Sequence, residues 1–452
     1  MPFNTNNFIL LFIPAFLLSY FVADSTFKNT IILLYSILFY VIGNYKNPIN
    51  ILILILLTAL NYVFCYYILK YNGVNDKKSK ALTIFSIALN IIILSIFKSN
   101  IFTENIPLGL SFYIFHFISI LVDSHKISYD KEQFSFANFI SYILYFPKIL
   151  SGPITRYDYY ILKCNNKDIS KERCLKGLFY FSIGLALKSL LSDNISYIVN
   201  QINVYGFDSI SIVTAWIGMY SYTMRLYFDF AGYSLMAIGL ANVMGMDLPI
   251  NFDLPFCSKS ISEFWRRWHI TLGHFFRDYI YIPLGGNFEN KNIFRQSINL
   301  IVVWLVTGLW HGFKFNYILW AMLICLFIIL EKAFVRNIYN KFEIVGRVLV
   351  NLVMPFTFLI FSIENLNDLS IYISKLFNIS SINNMRDFEV IFSLYGKIFV
   401  IGIFFMTKYP KAIMSWIEKR RAIMIIFSVV LIALSIYMFN VMGTDTFKYF
   451  AF

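Results

Sequence analysis

Residues 49–69 read INILILILLTALNYVFCYYIL, a run of 21 residues that contains no charged side chain. A helix needs about 17 to 25 apolar residues to cross the hydrocarbon core of a bilayer. This run therefore predicts a membrane-spanning helix. Comparable apolar stretches occur along the chain at 8–23, 30–44, 81–97, 106–122, 137–152, 175–191, 210–228, 231–244, 297–312, 315–330, 348–362, 396–407 and 422–440.

The composition indicates the same class of protein. Of the 452 residues, 58% are hydrophobic and 14% are charged, whereas about 25% are charged in a soluble globular chain. A content of 19% Phe, Trp and Tyr also excludes a disordered chain. Because some stretches are short or broken by Gly and Pro, we predict an all-α, polytopic membrane bundle of about 11–13 spans. Re-entrant and interfacial helices complete a single domain over residues 1–452.

The net charge of +13 reflects the membrane rather than a nucleic-acid partner, because Lys and Arg accumulate in the cytoplasmic loops of membrane proteins. Three basic loops, 70–80, 331–347 and 408–421, are predicted to be cytoplasmic and to meet anionic lipid. The segment 363–395 between the last two is nearly charge-balanced, so it is predicted to lie outside. The final span then runs outward and delivers Tyr449 to the external side.

The histidines and cysteines do not predict a metal centre. A Zn²⁺ site needs His, Cys or carboxylate ligands at characteristic spacings. His269 and His274 are five residues apart, no HExxH occurs, and none of the five cysteines belongs to a CxxC. We therefore predict no metal site and no bound cofactor.

His311 is the first candidate for catalysis. It closes an apolar run in the sequence Thr307-Gly308-Leu309-Trp310-His311-Gly312, and Gly leaves room for a substrate close to the backbone. A neutral imidazole there suits a general base that takes the proton of a hydroxyl as it attacks a thioester. A structural histidine, bonded to a backbone carbonyl inside the bundle, remains equally possible on these facts.

The segment 259–280 is predicted to form one amphipathic helix at the cytoplasmic interface, because its apolar residues recur every three or four positions. His269 lies at the edge of the apolar stripe, and His274 lies on the polar side. The basic residues Arg266, Arg267 and Arg277 could bind lipid headgroups or the phosphates of a cytoplasmic donor such as coenzyme A. Composition alone favours lipid.

Several motifs resemble those of a known family. They are FWRRWHITLGHFFRDYIYIPLGGN at 264–287, GLWHG at 308–312 followed by Asn316, SFYIFHFISILVD at 111–123, FPKILSGPITRY at 146–157, YFDFAGYSLMAIGLANVMG at 227–245 and NFDLPF at 251–256. Together they closely resemble the alginate and peptidoglycan O-acetylation branch of the membrane-bound O-acyltransferase (MBOAT) family. The core motifs occupy 107–332, with C-terminal spans at 345–440.

The resemblance implies a bacterial inner-membrane enzyme in which an outer funnel and a cytoplasmic opening meet at a catalytic histidine, here His311. His269 matches a second prominent histidine of the family, and Trp310 and Asn316 are implied in substrate binding. The implied donor is acetyl-CoA. The implied partner is a periplasmic SGNH-type transferase or esterase, which supplies the Ser-His-Asp chemistry.

The chain ends in an aromatic motif at 446–452 that resembles the terminus of this branch. By analogy with related D-alanyl transfer systems, Tyr449 is implied as a transient acyl carrier that His311 deprotonates. An aromatic anchor at the membrane interface is the alternative.

The predicted function is thus O-acetylation of an extracytoplasmic glycan. The many Ile, Asn, Lys, Phe and Tyr residues correspond to A/T-rich codons and favour peptidoglycan over alginate, cellulose or another exopolysaccharide. A membrane transporter or a scaffold without catalysis is the alternative of another class.

Overall fold

The computed structural model of the protein describes residues 3–99, 106–127, 129, 134–286, 293–335, 342–383 and 385–443. Within these residues the chain is built of helices, and its one extended pairing is an isolated antiparallel bridge between Phe252 and Trp268. The predicted all-α fold is confirmed.

The α-helices are numbered in chain order. They are α1 Ile13–Val22, α2 Lys28–Gly43, α3 Ile49–Tyr71, α4 Asp76–Lys98, α5 Leu110–Lys126, α6 Phe136–Leu144, α7 Tyr157–Asn165, α8 Lys171–Ala186, α9 Asp193–Tyr205, α10 Ile212–Val243, α11 Ile261–Arg267, α12 Ile270–Phe276, α13 Ile293–His311, α14 Phe315–Leu330, α15 Glu343–Ser362, α16 Leu366–Leu376, α17 Arg386–Phe405, α18 Tyr409–Glu418 and α19 Arg421–Met442. Short π-helical segments at Phe8–Phe12, Leu187–Ser192, Arg277–Tyr281 and Glu331–Val335 and 3₁₀ turns at Ser25–Phe27, Pro255–Cys257 and Ile379–Asn383 adjoin them.

The protein is a multi-pass membrane protein. Nine helical stretches of the described chain are long and apolar enough to cross a bilayer: Ser25–Gly43, Ile49–Tyr71, Asp76–Lys98, Lys171–Tyr205, Ile212–Val243, Phe315–Phe334, Glu343–Ser362, Arg386–Phe405 and Arg421–Met442. The helix Phe8–Val22 is apolar but shorter.

Several predicted spans differ from the helices of the structure. The stretches 210–228 and 231–244 are predicted as separate spans but form the single helix α10, because Asp229, the charged residue between them, is paired with Lys188 and does not end the helix. The stretch 137–152 is not one helix either. Its helical part ends at Leu144, and the chain continues in turns through Pro147, since proline disfavours a helical conformation in the residue before it.

The described chain divides into two compact units. The first contains the described residues up to Phe181 together with Tyr233–Ile250. In it, Asn61 on α3 and Asn90 on α4 exchange side-chain hydrogen bonds of 3.2 and 2.7 Å, and both side chains are buried. Lipid offers polar groups no partner, so such a reciprocal pair holds two neighbouring helices in register.

The second unit contains Ser182–Gly232 and the described residues from Asn251 onward. Its helices share a buried ion cluster. The Lys188 ammonium lies 2.8 Å from the Asp229 carboxylate and 2.7 Å from that of Asp193. Lys188 and Asp229 are each at most 1% exposed, so the cluster links α10 to the π-helical segment between α8 and α9.

We predict that Lys188→Met strongly lowers the thermal unfolding midpoint of the detergent-solubilised protein, because it removes the shared cation of the buried Asp229 and the partly exposed Asp193. Removal of one partner of a buried ion pair costs about 3–5 kcal/mol. The double variant Lys188→Met/Asp229→Asn should unfold at a higher temperature than Lys188→Met alone, since it also removes one of the stranded charges.

Lys176→Met is the matched control. Lys176 lies on α8 and pairs with the exposed Glu172 at 3.2 Å, and such surface pairs contribute about 0–1 kcal/mol. Equal shifts of the unfolding midpoint in Lys176→Met and Lys188→Met would contradict the assigned role of the cluster.

Candidate active site

A cavity of about 1370 Å³ lies within the second unit. Its wall is formed by α11, α12, the π-helical segment Arg277–Tyr281, α13, α14 and α15. The predicted site residues that line it are His269, Arg266, Arg277 and His311. The structure therefore brings the two candidate histidines and two of the three candidate arginines to one space.

His311 is the last residue of α13 and is buried among aromatic rings. The centroid of its imidazole lies 4.5 Å from that of Trp310, 4.9 Å from that of Phe361 and 5.2 Å from that of Trp320. Phe361 and Trp320 meet the imidazole edge-on, at 85° and 87°. These contacts fix the plane of the ring, so that a substrate entering the cavity meets an imidazole of defined orientation.

The two glycines beside His311 serve a different purpose from the one predicted. A Cβ on Gly308 would lie 2.9 Å from the Tyr317 carbonyl oxygen, and a Cβ on Gly312 would lie 3.0 Å from the Tyr317 ring. Both glycines thus make room for α14 rather than for a substrate. Gly312 also has φ 151°, a value that permits the sharp turn from α13 into α14.

Asn316 and Trp310 support the histidine from outside the cavity wall. The Asn316 amide donates a 2.9 Å hydrogen bond to the Phe361 carbonyl oxygen near the end of α15. Because Phe361 packs directly against His311, this bond holds one wall of the imidazole pocket. Trp310 is buried and meets the same imidazole in an edge contact, with 62° between the ring planes.

His269 occupies a break in the segment that was predicted to be one helix. That prediction was wrong: α11 ends at Arg267, His269 adopts the left-handed conformation with φ 45°, and α12 begins at Ile270. Such a conformation costs a non-glycine residue about 1–2 kcal/mol. It persists only where surrounding contacts impose it, as functional sites often do.

Asn251 supplies those contacts. Its backbone carbonyl accepts a 3.0 Å hydrogen bond from the Ile270 N–H, and its side-chain oxygen accepts a 2.7 Å bond from the Thr271 hydroxyl. On the other side of His269, the Arg267 carbonyl oxygen accepts a 3.0 Å hydrogen bond from the Asp253 N–H. The segment 251–253 therefore clamps both sides of His269 and directs its side chain to the cavity.

Burial keeps His269 neutral. The imidazole is 3% exposed and meets the Phe230 ring edge-on, with 4.6 Å between ring centroids. Removal from water lowers the pKa of His269 to about 3, because the cationic form loses its hydration. At neutral pH this side chain can accept or donate a hydrogen bond but does not carry a charge.

The three candidate arginines divide into two groups. Arg267 is committed within the protein, since its guanidinium lies 2.8 Å from the Glu263 carboxylate and donates a 3.1 Å bond to the Asp253 carbonyl oxygen. Arg266 is exposed at the cavity and forms no ion pair with any described residue. Arg277 is exposed there too and is paired with its neighbour Asp278 at 2.7 Å.

Glu331 is a site residue that the sequence patterns did not indicate. Its buried carboxylate accepts a 2.6 Å bond from the Ile261 N–H and a 3.2 Å bond from the Ser262 N–H. It thus caps the first turn of α11, where backbone N–H groups have no helical partner. The only signal in the sequence is an acid placed directly after the apolar run 315–330.

Two further predictions concern metal binding and the chain terminus. In the described part of the chain, no group of three or more His, Cys, Asp and Glu side chains is arranged to hold a metal ion. Tyr449 and the rest of the terminal motif 446–452 lie outside the described residues.

Comparisons with known proteins identify the family of this chain. The family model described as MBOAT, membrane-bound O-acyltransferase family, matches residues 32–367, which include both His269 and His311. Among curated proteins, a probable alginate O-acetylase of Pseudomonas putida is 32% identical over 356 residues, covering 74% of this chain and 71% of that protein.

Two further relatives differ in the acceptor or acyl group that they are named for. A peptidoglycan O-acetyltransferase of Helicobacter pylori is 33% identical over 373 residues, covering 71% of this chain and 68% of that protein. A teichoic acid D-alanyltransferase of Bacillus subtilis is 32% identical over 248 residues, covering 52% and 59%. These matches confirm the resemblance read from the motifs and identify an acyltransferase. The chain belongs to the membrane-bound O-acyltransferase (MBOAT) family.

Proposed function

We propose that this protein is an inner-membrane O-acetyltransferase that takes acetyl from acetyl-CoA in the cytoplasm and passes it outward for O-acetylation of a glycan. The observation that carries the proposal is the meeting of His311, His269 and Arg266 at one cavity of an acyltransferase-family protein. Peptidoglycan is the favoured acceptor.

The chemistry requires a base and a path for the leaving group. His311 takes the proton of an attacking hydroxyl as its oxygen bonds to the thioester carbonyl carbon. The C–S bond then breaks, and the imidazolium returns the proton to the departing CoA thiolate. A positioned general base of this kind contributes about 10²- to 10⁴-fold in rate. The neutral His269 can hydrogen-bond the reacting groups without adding a competing charge.

The donor enters from the basic side of the cavity. Arg266 and Arg277 offer guanidinium groups that fit the phosphates of coenzyme A, since planar N–H pairs match phosphate oxygens. Arg266 is available for this role because the nearby acids have other partners. Glu263 pairs with Arg267, and Glu331 caps α11. Lys259 and Glu343 pair with each other at the same wall.

The acetyl group is then transferred to the C-terminal segment of the chain. Tyr449 is proposed as the hydroxyl that attacks, so that O-acetyl-tyrosine forms and is handed to a periplasmic partner of the SGNH type. The distribution of Lys and Arg supports this route, because the positive-inside rule predicts that the basic loops 331–347 and 408–421 are cytoplasmic, in which case the last span runs outward.

The proposal of peptidoglycan as the acceptor rests on the composition of the chain and on the relatives that it resembles. The chain carries 49 Phe and 31 Tyr, and its codon-related composition favours peptidoglycan. Alginate, cellulose, another exopolysaccharide or a D-alanylated polymer would use the same chemistry at the same cavity. A transporter or scaffold without catalysis is less well supported, because Asp229, a notable acid within the spans, is buried and paired with Lys188.

The first prediction concerns His311. His311→Ala should slow the release of CoA from labelled acetyl-CoA by the purified protein by about 10²- to 10⁴-fold, because the attacking hydroxyl loses its base. His125→Ala is the control, since His125 lies in the first unit and bonds to the Ser79 hydroxyl at 2.8 Å. Release at the wild-type rate from folded His311→Ala protein would favour the scaffold instead.

The second prediction concerns the acyl carrier. Tyr449→Phe should abolish acetylation of the glycan in cells, because phenylalanine keeps the ring but lacks the hydroxyl that bonds to acetyl. The measurement is ester-linked acetate released from the isolated glycan. Tyr437→Phe, an exposed tyrosine on α19, should leave that amount unchanged. Undiminished acetylation in Tyr449→Phe excludes the carrier role.

The third prediction separates the neighbouring arginines. Arg266→Gln should raise the KM for acetyl-CoA about tenfold, the effect of losing one charge-assisted hydrogen bond, without lowering thermal stability. Arg267→Gln should instead lower the unfolding midpoint, because it strands the Glu263 carboxylate. If the KM for acetyl-CoA is unchanged in Arg266→Gln, the assigned donor site is wrong.

A further inference from the structure

Helix α18 connects two membrane spans without crossing the bilayer itself. It follows α17, which ends at Phe405, and precedes α19, which begins at Arg421. Its 10 residues extend about 15 Å, half of the roughly 30 Å hydrocarbon thickness. Because both neighbours are candidate spans, α18 lies near the membrane surface.

The helix presents three different faces. Pro410 and Ile417 are buried against the protein. Tyr409, Ile413 and Trp416 are 58%, 48% and 51% exposed. At about 100° per residue these three side chains fall within about 60° of one another around the axis.

The third face is polar. Lys411, Ser415 and Lys419 follow one another around the remaining side, and all three are exposed. An α-helix with one apolar face turned away from the protein and one charged face beside it is the arrangement of helices that lie in the plane of a membrane surface. A helix surrounded by water would leave the three large apolar side chains exposed without compensation.

The charges around α18 are strongly biased. Residues 408–421 contain Lys408, Lys411, Lys419, Arg420 and Arg421 against the single acid Glu418. The Arg420 guanidinium lies 4.0 Å from the centroid of the Trp416 ring, so a cation and an apolar anchor form one unit at the end of the helix. Stacking of this kind places the indole toward the acyl chains and the guanidinium at headgroup level.

We infer that α18 lies in the cytoplasmic membrane surface, with Tyr409, Ile413 and Trp416 among the acyl chains. Lys419, Arg420 and Arg421 at its C-terminal end bind the phosphates of anionic phospholipids. The inference is independent of the proposed acyl transfer. It gives the helix a link to the cavity wall, since Lys411 lies 2.6 Å from the Asp253 carboxylate, and Asp253 pairs with the loop that carries His269.

Lipid selectivity tests the charged face. The protein is reconstituted in phosphatidylcholine containing phosphatidylglycerol, and the association of spin-labelled forms of both lipids is compared. Lys419→Gln/Arg420→Gln/Arg421→Gln should lower the preference for phosphatidylglycerol about twofold or more, and added salt should weaken the wild-type preference.

The control removes three exposed lysines from the other basic loop, as Lys77→Gln/Lys78→Gln/Lys80→Gln. This control has the same net charge as the α18 variant but leaves α18 unchanged. Because loop 70–80 is basic too, this variant measures what three cations contribute elsewhere in the chain. A preference for phosphatidylglycerol that the α18 variant leaves unchanged would overturn the inference.

The depth of Trp416 tests the apolar face independently of charge. The difference in tryptophan emission between wild type and Trp416→Phe reports this side chain among the 7 tryptophans. Phosphatidylcholine brominated near the top of its acyl chains should quench that emission. Emission that resists the brominated lipid and is quenched by acrylamide in water would overturn the inference and point to an acidic soluble protein as the occupant.

Discussion

The geometry of the site depends on a short backbone pairing between two segments of the chain. Hydrogen bonds from Asp253 to Arg267 and from Ile270 to Asn251 hold residues 251–253 against residues 267–270. They impose a left-handed residue at His269, which the chain would otherwise avoid. With the turn in place, one helix presents Arg266 to the cavity, the imidazole of His269 is buried beside it, and the next helix starts in a new direction. Without the pairing, the segment would continue as a helix and carry His269 elsewhere.

The second requirement is close packing of α13 on α14. Gly308 and Gly312 remove the side chains that would separate the two helices, so Trp320 from α14 reaches the imidazole of His311. Asn316, one turn before Trp320 on α14, bonds to the end of α15 and brings Phe361 to the same ring. The catalytic candidate is therefore oriented by α13, α14 and α15, and of these α14 and α15 are candidate membrane spans.

Much of this could be predicted from the sequence, and the failures have physical reasons. Apolar runs such as 49–69 predict spans because the bilayer sets a fixed length, and the flanking sequence of His311 indicates an unusual histidine. Helical periodicity cannot reveal the break at His269, because the residues that impose it, Asn251 and Asp253, act from a separate segment. Glu331 is missed for the same reason. Gly308 indicates a close approach to the backbone, but the sequence does not show whether a substrate or a neighbouring helix makes that approach.

A structure of the protein bound to a non-hydrolysable thioether analogue of acetyl-CoA tests the central claim most directly. The account predicts density for the acetyl group beside the His311 imidazole and for the phosphates beside the Arg266 and Arg277 guanidinium groups. Density for the analogue outside this cavity, or with the acetyl group remote from His311, would contradict it.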